Sequence, residues 1–570
     1  MAPNPKALEP FIQRTRIAYF SMEIALEPEI HTYSGGLGVL AGDTARAAAD
    51  LDLPMIFVTL VSRSGYVRQD IDPQGRQVAR PNPWDPVRWT SPLGAMISIS
   101  VEGREVWIRP WLYLLTCPLG HRVPVLLLDT DLEQNSPEDR EITNRLYGGD
   151  ETYRLKQEMV LGIGGARMLK AVGFDIRTYH LNEGHAALLS LVLLRQHTHS
   201  REELVLGRRI YDEAPVRERC VFTTHTPIEA GQDKFSYPLV ERVLGDYIAI
   251  DELKRLAGED RLNMTRLALN LSGYINGVAQ RHAETTRTMF PGYEVRAVTN
   301  GVHVATWAHP GFARLFQGHF PNWAHEPEVL ASADQIPDEA IREAHRQAKG
   351  ELISRVKDAS GVQMQIDLPI IGFARRMTAY KRPDLLFTNL ERLARIAQER
   401  PFQIALAGLA HPQDQPGQMM IERLHRHIGQ LAGAIPVAFL PNYDMVVAGA
   451  LVAGADVWLN TPLPPLEASG TSGMKAALNG GLNLSVLDGW WAEACIDGTN
   501  GWAIGNGSET PSGPSHSDEL YRMLANVVLP LYYDNPSRWV WMMKQAMSRI
   551  GSYYNSQRMM RRYATEAYLR

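Results

Sequence analysis

The sequence predicts an α/β protein built of two lobes, each containing a doubly wound parallel sheet. The chain has 570 residues, which is more than a single hydrophobic core usually serves. Short apolar runs that suit buried parallel strands alternate with amphipathic helical segments along most of the chain. Polar or glycine-rich residues follow many of these runs, as at the ligand-binding edge of open α/β sheets. We place the lobes at residues 1–305 and 306–570, with the last helix crossing back to the first lobe.

The composition is that of a globular enzyme rather than a nucleic-acid-binding or membrane protein. Hydrophobic residues make up 45% of the chain and charged residues 21%, and the net charge of −5 offers no basic surface for nucleic acid. The widely spaced Cys117, Cys220 and Cys495 indicate neither a zinc site nor a disulfide framework. With no signal or membrane-spanning pattern, we expect a cytoplasmic protein without a membrane partner. The first ten residues, rich in proline, are expected to form a loose arm.

The segment Pro464–Gly481 carries the most informative chemistry of the second lobe. A carboxylate, Glu467, precedes a turn of glycine and hydroxyl residues, and Lys475 enters the helix that follows. The N–H groups of Gly470, Thr471 and Ser472 would lie at the start of this helix. Unpaired donors at a helix start can bind an anion. A lysine in an apolar pocket loses its proton more easily and can condense with an aldehyde. An aldehyde carried beside a phosphate describes pyridoxal phosphate, although such a turn alone is most often an ordinary helix start with a solvated lysine.

A second motif lies near the beginning of the chain. The apolar run Ile17–Glu23 ends at a carboxylate, the glycine turn Tyr33–Asp43 follows, and we predict a helix over Thr44–Asp50. Strand, glycine turn and helix in this order are typical of a phosphate-facing loop, although clustered glycines alone more often form a tight turn. Farther on, residues 76–130 alternate between apolar and polar positions, which predicts an antiparallel insertion.

A cluster of cations follows the predicted strand at the start of the second sheet. Residues 368–374 are mainly apolar, and four cations come within the next eight residues: Arg375, Arg376, Lys381 and Arg382. Such clusters usually form a solvated surface. Here the cluster follows a strand end directly, so its cations would lie at the carboxyl edge of the lobe, where arginine and lysine could bind two phosphates.

Taken together, these segments resemble those of the α-glucan phosphorylases, the family of glycogen, starch and maltodextrin phosphorylases. The likeness rests on Glu-Ala-Ser-Gly-Thr from position 467, Met-Lys at 474–475, Leu-Asn-Gly at 478–480 and Gly-Gly-Leu-Gly at 35–38. It extends from about Ala18 to Gly505 and is greatest with the short bacterial and archaeal form. The resemblance implies a GT-B-type architecture, in which two Rossmann-like lobes face a central cleft. We expect no control by AMP or phosphorylation, because the regulatory extension of the long enzymes is not found.

The resemblance also implies an activity. Family members catalyse the reversible phosphorolysis of terminal α-1,4-linked glucose, which gives α-D-glucose 1-phosphate with retention of configuration. They use pyridoxal 5′-phosphate, whose own phosphate assists proton transfer. The implied partners of this chain are therefore an α-1,4-glucan and inorganic phosphate, and homodimerisation is an expectation from the family alone.

The resemblance to the family also implies roles for individual residues of this chain. The reacting phosphate would be held by Arg376, Lys381 and the backbone of Gly36. The cofactor would be bound by Lys475, Thr471, Ser472, Arg375 and Tyr443. The residues that bind the substrate on the glucan side of the site would be Gly35, Glu183, His185, His225, Asn300, Glu467, Ala468, Ser469 and Gly470. No metal is expected, because Glu183 and His185 lack a third ligand at metal spacing.

The chain departs from the family pattern at three positions in its basic cluster. Arg375 replaces a lysine, and Thr378 and Ala379 replace a histidine and a glutamate of the long enzymes. The charge at position 375 is preserved. These departures leave open an inactive glucan-binding homologue. A nucleotide-sugar glycosyltransferase of the same architecture is the other alternative, and it would need no cofactor lysine.

Overall fold

The computed structural model describes residues 5–200, 209–505 and 515–569, which form two large sheets flanked by helices. In chain order the strands are β1 Ile17–Phe20, β2 Met55–Leu60, β3 Arg68–Ile71, β4 Gln77–Arg80, β5 Ser91–Pro92, β6 Ile97–Val101, β7 Arg104–Thr116, β8 Arg122–Asp129, β9 Thr178–Asn182, β10 Cys220–Thr223, β11 Lys234–Ser236, β12 Arg261–Asn263, β13 Tyr274–Gly277, β14 Val295–Ala297, β15 Ile370–Ala374, β16 Gln403–Ala407, β17 Val437–Leu440, β18 Val457–Asn460, β19 Leu482–Val486 and β20 Gly501–Ile504.

Helices connect and cover these strands. The α-helices are Glu9–Ile12, Gly36–Asp50, Pro86–Trp89, Pro137–Arg140, Glu151–Met159, Gly165–Ala171, Leu189–Leu194, Ala214–Arg219, Tyr237–Leu244, Ile250–Ala257, Met264–Asn270, Gln280–Met289, Val304–Trp307, Pro310–His319, Asp338–Ser360, Leu390–Glu399, Gln415–Gln430, Met445–Gly454, Ser472–Leu478, Trp491–Ala494, His516–Met523, Leu529–Asp534, Pro536–Ala546 and Ser556–Tyr563. Within the described ranges, π-helical turns continue α-helices at Val160–Gly164, Leu524–Val528, Met547–Gly551 and Ala564–Tyr568, and 3-10 turns lie at Pro5–Leu8, Gly184–Ala186, Glu229–Gly231, Pro327–Gln335, Ala379–Lys381 and Leu385–Phe387.

The first sheet has the strand order β14-β13-β10-β9-β1-β2-β8-β7-β5, with β6 paired to β7. Strands from β14 to β8 are parallel, and β7 runs antiparallel to β8. This confirms the antiparallel insertion predicted over residues 76–130. The central strand β1 lies between β2 and β9, so the order of the parallel strands reverses beside β1. Such a reversal opens a crevice at the carboxyl edge of a parallel sheet.

The residues of β1 and β2 explain why this sheet is covered on both faces. Every residue of the two strands is buried. Phe20 and Val58 belong to one hydrophobic cluster, and Tyr19 and Phe57 belong to another. Because side chains alternate along a strand, a continuous apolar run supplies both cores at once.

The second sheet contains six parallel strands in the order β17-β16-β15-β18-β19-β20. Numbered within the lobe, this is the 3-2-1-4-5-6 order of a doubly wound dinucleotide-binding fold. The order reverses between β15 and β18. The predicted α/β class, with two doubly wound sheets, is therefore confirmed.

Two local predictions near the start of the chain are wrong. The first long helix spans Gly36–Asp50 and not Thr44–Asp50, because the glycines at 36, 38 and 42 adopt helical conformations within it. The expected loose arm is helical from residue 5 to residue 12, where Leu8 and Phe11 are buried in a core cluster. Residues 1–4 lie outside the described part of the chain.

The end of the chain packs on the first sheet. Helix Ser556–Tyr563 lies against helix Gly36–Asp50. The Tyr568 hydroxyl is 2.6 Å from Nδ1 of His180, and Nδ2 of Asn276 donates a hydrogen bond to the Tyr563 hydroxyl at 3.0 Å. The C-terminal segment thereby ties the two lobes together, while their boundary near residue 305 stays a prediction.

A first-lobe hairpin, β3–β4, also joins the lobes. Nε2 of Gln69 donates to the Gly408 carbonyl at 2.9 Å, and the Asn442 N–H donates to Oε1 of Gln69 at the same distance. Gln77 exchanges two hydrogen bonds with the backbone of Ala410, at 2.8 and 3.0 Å. The loops after β16 and β17 are thus pinned to the first lobe. Among the described residues, none of the helices has the combination of length and apolar character needed to cross a bilayer.

Candidate active site

In each sheet, the place where the strand order reverses lies at a common cleft. The glycine loop after β1 belongs to the first lobe, and the basic cluster after β15 belongs to the second. These segments meet directly, because a Cβ added at Gly35 would lie 3.4 Å from Nη2 of Arg376. The predicted phosphate loop and the predicted phosphate cation are therefore neighbours.

A buried ion triad occupies the second-lobe side of the cleft. Lys381 donates from Nζ to both carboxylate oxygens of Glu467 at 2.6 Å, and Arg375 donates to the same carboxylate through Nη2. Arg375 and Glu467 are buried, and Lys381 is largely covered. Nη1 of Arg375 is also buried, and among the described residues it has no hydrogen-bond partner. The triad thus keeps one guanidinium nitrogen free for another acceptor.

The electrostatics of the triad keep Glu467 ionised. Burial opposes ionisation, but Arg375 and Lys381 overcome it and lower the pKa of Glu467 to about 2. The Glu467 N–H donates to Oδ2 of Asp488 at 2.8 Å. Burial raises the pKa of Asp488 to about 6, despite this hydrogen bond and another from Gly489. The backbone before the glycine turn is therefore held by a second, more weakly ionised carboxylate.

Arg376 differs from its neighbour Arg375 because no described carboxylate pairs with it. Its side chain is open to the cleft, yet groups of the first lobe surround it. Burial acts to lower the pKa of Arg376, but the fields of Tyr66, Glu23 and Tyr147 outweigh it and raise the pKa. No ion pair of Arg376 is found within the three described ranges. A cation held this way can receive an anion without first breaking a salt bridge.

Glu23 already uses two N–H groups of the glycine loop. The N–H groups of Ser34 and Gly35 donate to Oε2 of Glu23 at 2.5 and 3.2 Å. Gly36 begins the 15-residue helix, and a Cβ added there would meet no atom within 4 Å. We expected the backbone of Gly36 to hold the reacting phosphate and that of Gly35 to serve as a further donor to substrate. The structure corrects this for Gly35, because its N–H is already used by Glu23, and leaves Gly36 at the open helix start.

Lys475 lies where three parts of the chain meet. Its Nζ is 3.7 Å from the centroid of the Trp307 ring. The indole Nε1 of Trp307 donates to the Asp43 carboxylate at 2.9 and 3.1 Å, and the His303 N–H donates to the same carboxylate. Asn479 fixes the surrounding backbone, accepting from the His309 N–H at 2.7 Å and donating to the Lys475 and Trp307 carbonyls.

These residues fit an aldehyde that carries a phosphate. Burial lowers the pKa of Lys475 to about 8, although Asp43 acts in the opposite direction, so an appreciable fraction of the amine is neutral near pH 7. A neutral amine is the nucleophile that condenses with an aldehyde. The amine has no hydrogen bond or ion pair within the described residues, and the free Nη1 of Arg375 offers a donor to an anion. The site therefore suits pyridoxal phosphate.

The other residues predicted to hold the cofactor lie at the start of the Lys475 helix and beside the ion triad. Helix Ser472–Leu478 starts after Thr471, as the glycine turn indicated. The Ser472 hydroxyl accepts from Nε1 of Trp458 at 3.0 Å. Burial raises the pKa of Tyr443 to about 12, against the field of Arg375, so its hydroxyl remains a donor at neutral pH.

On the glucan side, Glu183 and His225 are brought together. Oε2 of Glu183 accepts from the His225 N–H at 2.7 Å and from the Thr226 hydroxyl at 2.9 Å. Nε2 of His225 lies 2.6 Å from Oδ1 of Asn182. Burial lowers the pKa of His225 to about 3, and the nearby histidines add to this, so the ring is neutral. Glu183 has φ of +73°, in the left-handed region that is strained for a residue other than glycine.

The remaining predicted residues occupy separate positions. Nε2 of His185 is 3.3 Å from the Asp233 carboxylate, whereas the carboxylate of Glu183 accepts from His225 and Thr226. Oδ1 of Asn300 and Oγ of Ser469 are buried, and neither has a partner among residues 5–200, 209–505 and 515–569. Ala468 is half-buried, and Gly470 has φ of +83°, which favours glycine. The two unpaired polar atoms are candidate contacts for sugar hydroxyls.

The sequence alone did not identify two acidic residues that bind other groups of this site. Glu23 and Asp43 both lie in segments that the sequence singled out, but they bind groups supplied by distant segments. One signal was available for Asp43, an acid within an alanine-rich helix. Acidic residues are almost never fully buried unless they are paired, so a partner such as Trp307 could have been sought.

Comparisons with known proteins agree with this geometry. A family model described as carbohydrate phosphorylase matches residues 218–497. The maltodextrin phosphorylase of Thermococcus litoralis is 37% identical over 606 residues, covering 99% of this chain and 71% of that protein. The chain belongs to the carbohydrate phosphorylases. Among other members, the glycogen phosphorylases of Mycobacterium tuberculosis and Aquifex aeolicus are 36% and 35% identical, over 97% of this chain and 71% and 86% of their own lengths.

Membership confirms the family resemblance drawn from the motifs. As a carbohydrate phosphorylase, the protein is a glycosyltransferase. The region matched by the family model runs from the end of the helix Ala214–Arg219 to the segment before β20. It therefore contains the basic cluster, the ion triad and the Lys475 turn.

Proposed function

We propose that the protein catalyses the reversible phosphorolysis of terminal α-1,4-linked glucose in α-glucans. The product is α-D-glucose 1-phosphate, with retention of configuration, and the cofactor is pyridoxal 5′-phosphate on Lys475. The names of the similar proteins, maltodextrin and glycogen phosphorylase, support this substrate class. The observation that carries the proposal is the buried, weakly basic Lys475 beside a cleft where Arg376 faces a glycine loop.

Lys475 would hold the cofactor, with Arg375, Thr471, Ser472 and Tyr443 around it. When bound, pyridoxal phosphate supplies a phosphate monoester whose second pKa of about 6 lets it exchange a proton near neutral pH. Arg375 can serve this group because Nη2 binds Glu467 while Nη1 remains free. The Tyr443 hydroxyl supplies a further neutral donor.

Inorganic phosphate would bind between the lobes. Arg376 is available because its charge is unpaired within the described chain, and the open N–H at Gly36 lies at a helix start that attracts anions. Lys381 reaches the same edge from the ion triad. Together these groups place positive charge where negative charge develops during transfer, which stabilises the transition state.

The terminal glucose would occupy the adjacent polar surface. Oδ1 of Asn300 can accept from a sugar hydroxyl and Oγ of Ser469 can donate to or accept from one, which would satisfy two buried polar atoms. Glu467 stays ionised and can accept from further hydroxyls, and neutral His225 lies on the first-lobe side. Phosphate held at Arg376 would give a proton to the leaving glycosidic oxygen and attack the anomeric carbon on the same face, which accounts for retention.

Two measurements on purified protein test the proposal. Loading with pyridoxal phosphate, reduction with borohydride and peptide mapping should place one pyridoxyl group on Lys475. The loaded protein should then release glucose 1-phosphate from maltodextrin only when phosphate is present. Lys475→Arg keeps the charge but should lose both signals. Turnover of UDP-glucose or ADP-glucose by protein without bound pyridoxal would overturn the proposal, and labelling without any phosphorolysis would indicate an inactive homologue.

A further inference from the structure

Glu23 places a carboxylate directly beneath the glycine loop. It follows the end of β1 and is 1% exposed. Oε2 accepts from the N–H groups of Ser34 and Gly35, and Oε1 accepts from the Tyr147 hydroxyl at 2.9 Å. A Cβ at Gly38 would lie 2.6 Å from Oε2, so this glycine lets the carboxylate rest against the first turn of the helix.

Among the described residues, no cation contacts the carboxylate of Glu23. Within the part of the chain that the structure describes, no basic nitrogen forms an ion pair with its carboxylate. The titratable and charged groups that face it are Tyr33, Tyr66, Tyr147 and Arg376. Burial raises the pKa values of the three tyrosines, so they are neutral, and Arg376 is the charged group opposite. The loop that would receive phosphate therefore has one anion built into it.

We propose that Glu23 is a positioning residue that sets which anion the glycine loop accepts. It uses the N–H groups of Ser34 and Gly35, leaves Gly36 to the ligand, and disfavours a doubly charged anion relative to a singly charged one. The inference rests on the proposed function, because it concerns the phosphate substrate of the same site.

The charge of Glu23 affects which ionic form of phosphate would bind at the glycine loop. Like charges close together in a partly buried site repel more strongly than in water. A fixed carboxylate therefore favours the phosphate species that carries more protons and less charge. Sulfate has the shape of phosphate but is a dianion throughout the neutral pH range. Repulsion by the carboxylate of Glu23 would therefore weaken its binding. Glu23 thus offers a physical basis for distinguishing substrate phosphate from sulfate.

The test is anion selectivity in the enzyme loaded with pyridoxal phosphate. The KM for phosphate and the competitive inhibition constant of sulfate are measured at pH 6, where phosphate is mainly a monoanion. Glu23→Gln keeps the shape, since its amide oxygen can accept from both N–H groups and its NH2 can donate to Tyr147. We expect sulfate to bind about tenfold more tightly to this variant, with the KM for phosphate changing less than about threefold.

A matched control separates charge from structure. Tyr147→Phe removes a hydrogen bond from the same carboxylate but preserves its charge, so the ratio of sulfate to phosphate affinity should stay near the wild-type value. Equal changes for both anions in Glu23→Gln, or an altered ratio in Tyr147→Phe, would overturn the inference.

A wild-type measurement keeps the inference testable if Glu23→Gln fails to fold. Phosphate affinity should weaken as pH rises through the second ionisation of phosphate, while sulfate affinity, which reports titration of the protein alone, should change much less. Phosphate affinity that follows the dianion concentration would contradict the inference. Absence of any phosphorolysis would instead count against the proposed function.

Discussion

Replacing Glu467 by glutamine should destabilise the second lobe by a predictable amount. The change removes the charge shared by Arg375 and Lys381 but preserves the size of the side chain. The pKa of Glu467 is lowered from 4.5 to about 2, against the opposing effect of burial. Since one pKa unit corresponds to about 1.4 kcal/mol, the ion triad stabilises the ionised folded state by about 3 kcal/mol.

The sign of the pH dependence follows from the lowered pKa. The stabilisation is fully present above the unfolded-state pKa of about 4.5 and is lost as the pH falls towards 2. Urea unfolding of the protein without cofactor should therefore show a wild-type advantage of about 3 kcal/mol at pH 7 and about 1 kcal/mol at pH 3. Tryptophan fluorescence can follow the transition, because the buried Trp458 and Trp490 lie in the same lobe.

A matched control uses an exposed ion pair. Glu294 pairs with Arg296 at 3.1 Å, with side-chain exposures of 80% and 46%, so Glu294→Gln should change the free energy of unfolding by less than about 0.5 kcal/mol. A cost of Glu467→Gln below about 1 kcal/mol at pH 7, or a cost that did not shrink at pH 3, would show that the ion triad does not stabilise the folded state in this way.

Three further predictions follow from individual contacts. In protein without cofactor, labelling of Lys475 by an amine-reactive probe should be half-maximal near pH 8, because burial lowers its pKa to about 8; peptide mass spectrometry measures this. Tyr568→Phe should cost about 1–3 kcal/mol in urea unfolding, because it removes the partner 2.6 Å from Nδ1 of buried His180. Gly473→Ala should cost more than about 2 kcal/mol, since its Cβ would lie 2.2 Å from a buried amide oxygen, whereas Gly350→Ala in an open helical position should stabilise by about 0.5–1 kcal/mol.

For each of these three predictions, a specific result would contradict it. Half-maximal labelling near pH 10 would show that Lys475 is solvated. Wild-type stability of Tyr568→Phe would mean that the C-terminal segment does not rely on this contact. Equal effects of alanine at Gly473 and Gly350 would contradict the close packing between helix Ser472–Leu478 and β19.

The sequence by itself determined the α/β class and the segments that form the cleft. Apolar runs such as those of β1 and β15 are buried on both faces, so their composition indicates parallel strands without tertiary information. The Lys475 turn and the basic cluster were likewise visible, because each follows an apolar run whose carboxyl end lies at the ligand-binding edge of a parallel sheet. The helix start at Gly36 was missed, because glycine is a poor helix former and only the surrounding contacts decide that it is helical there.

Only the tertiary structure decided how these residues share their charges. It paired Lys381 and Arg375 with Glu467, left Arg376 unpaired among described residues, and gave the N–H of Gly35 to Glu23. The pKa of a side chain depends on burial and on charges within a few ångströms, and those charges come from segments far apart in the chain. Local sequence can therefore identify which groups are present at a site, but their protonation and availability depend on how the two lobes meet.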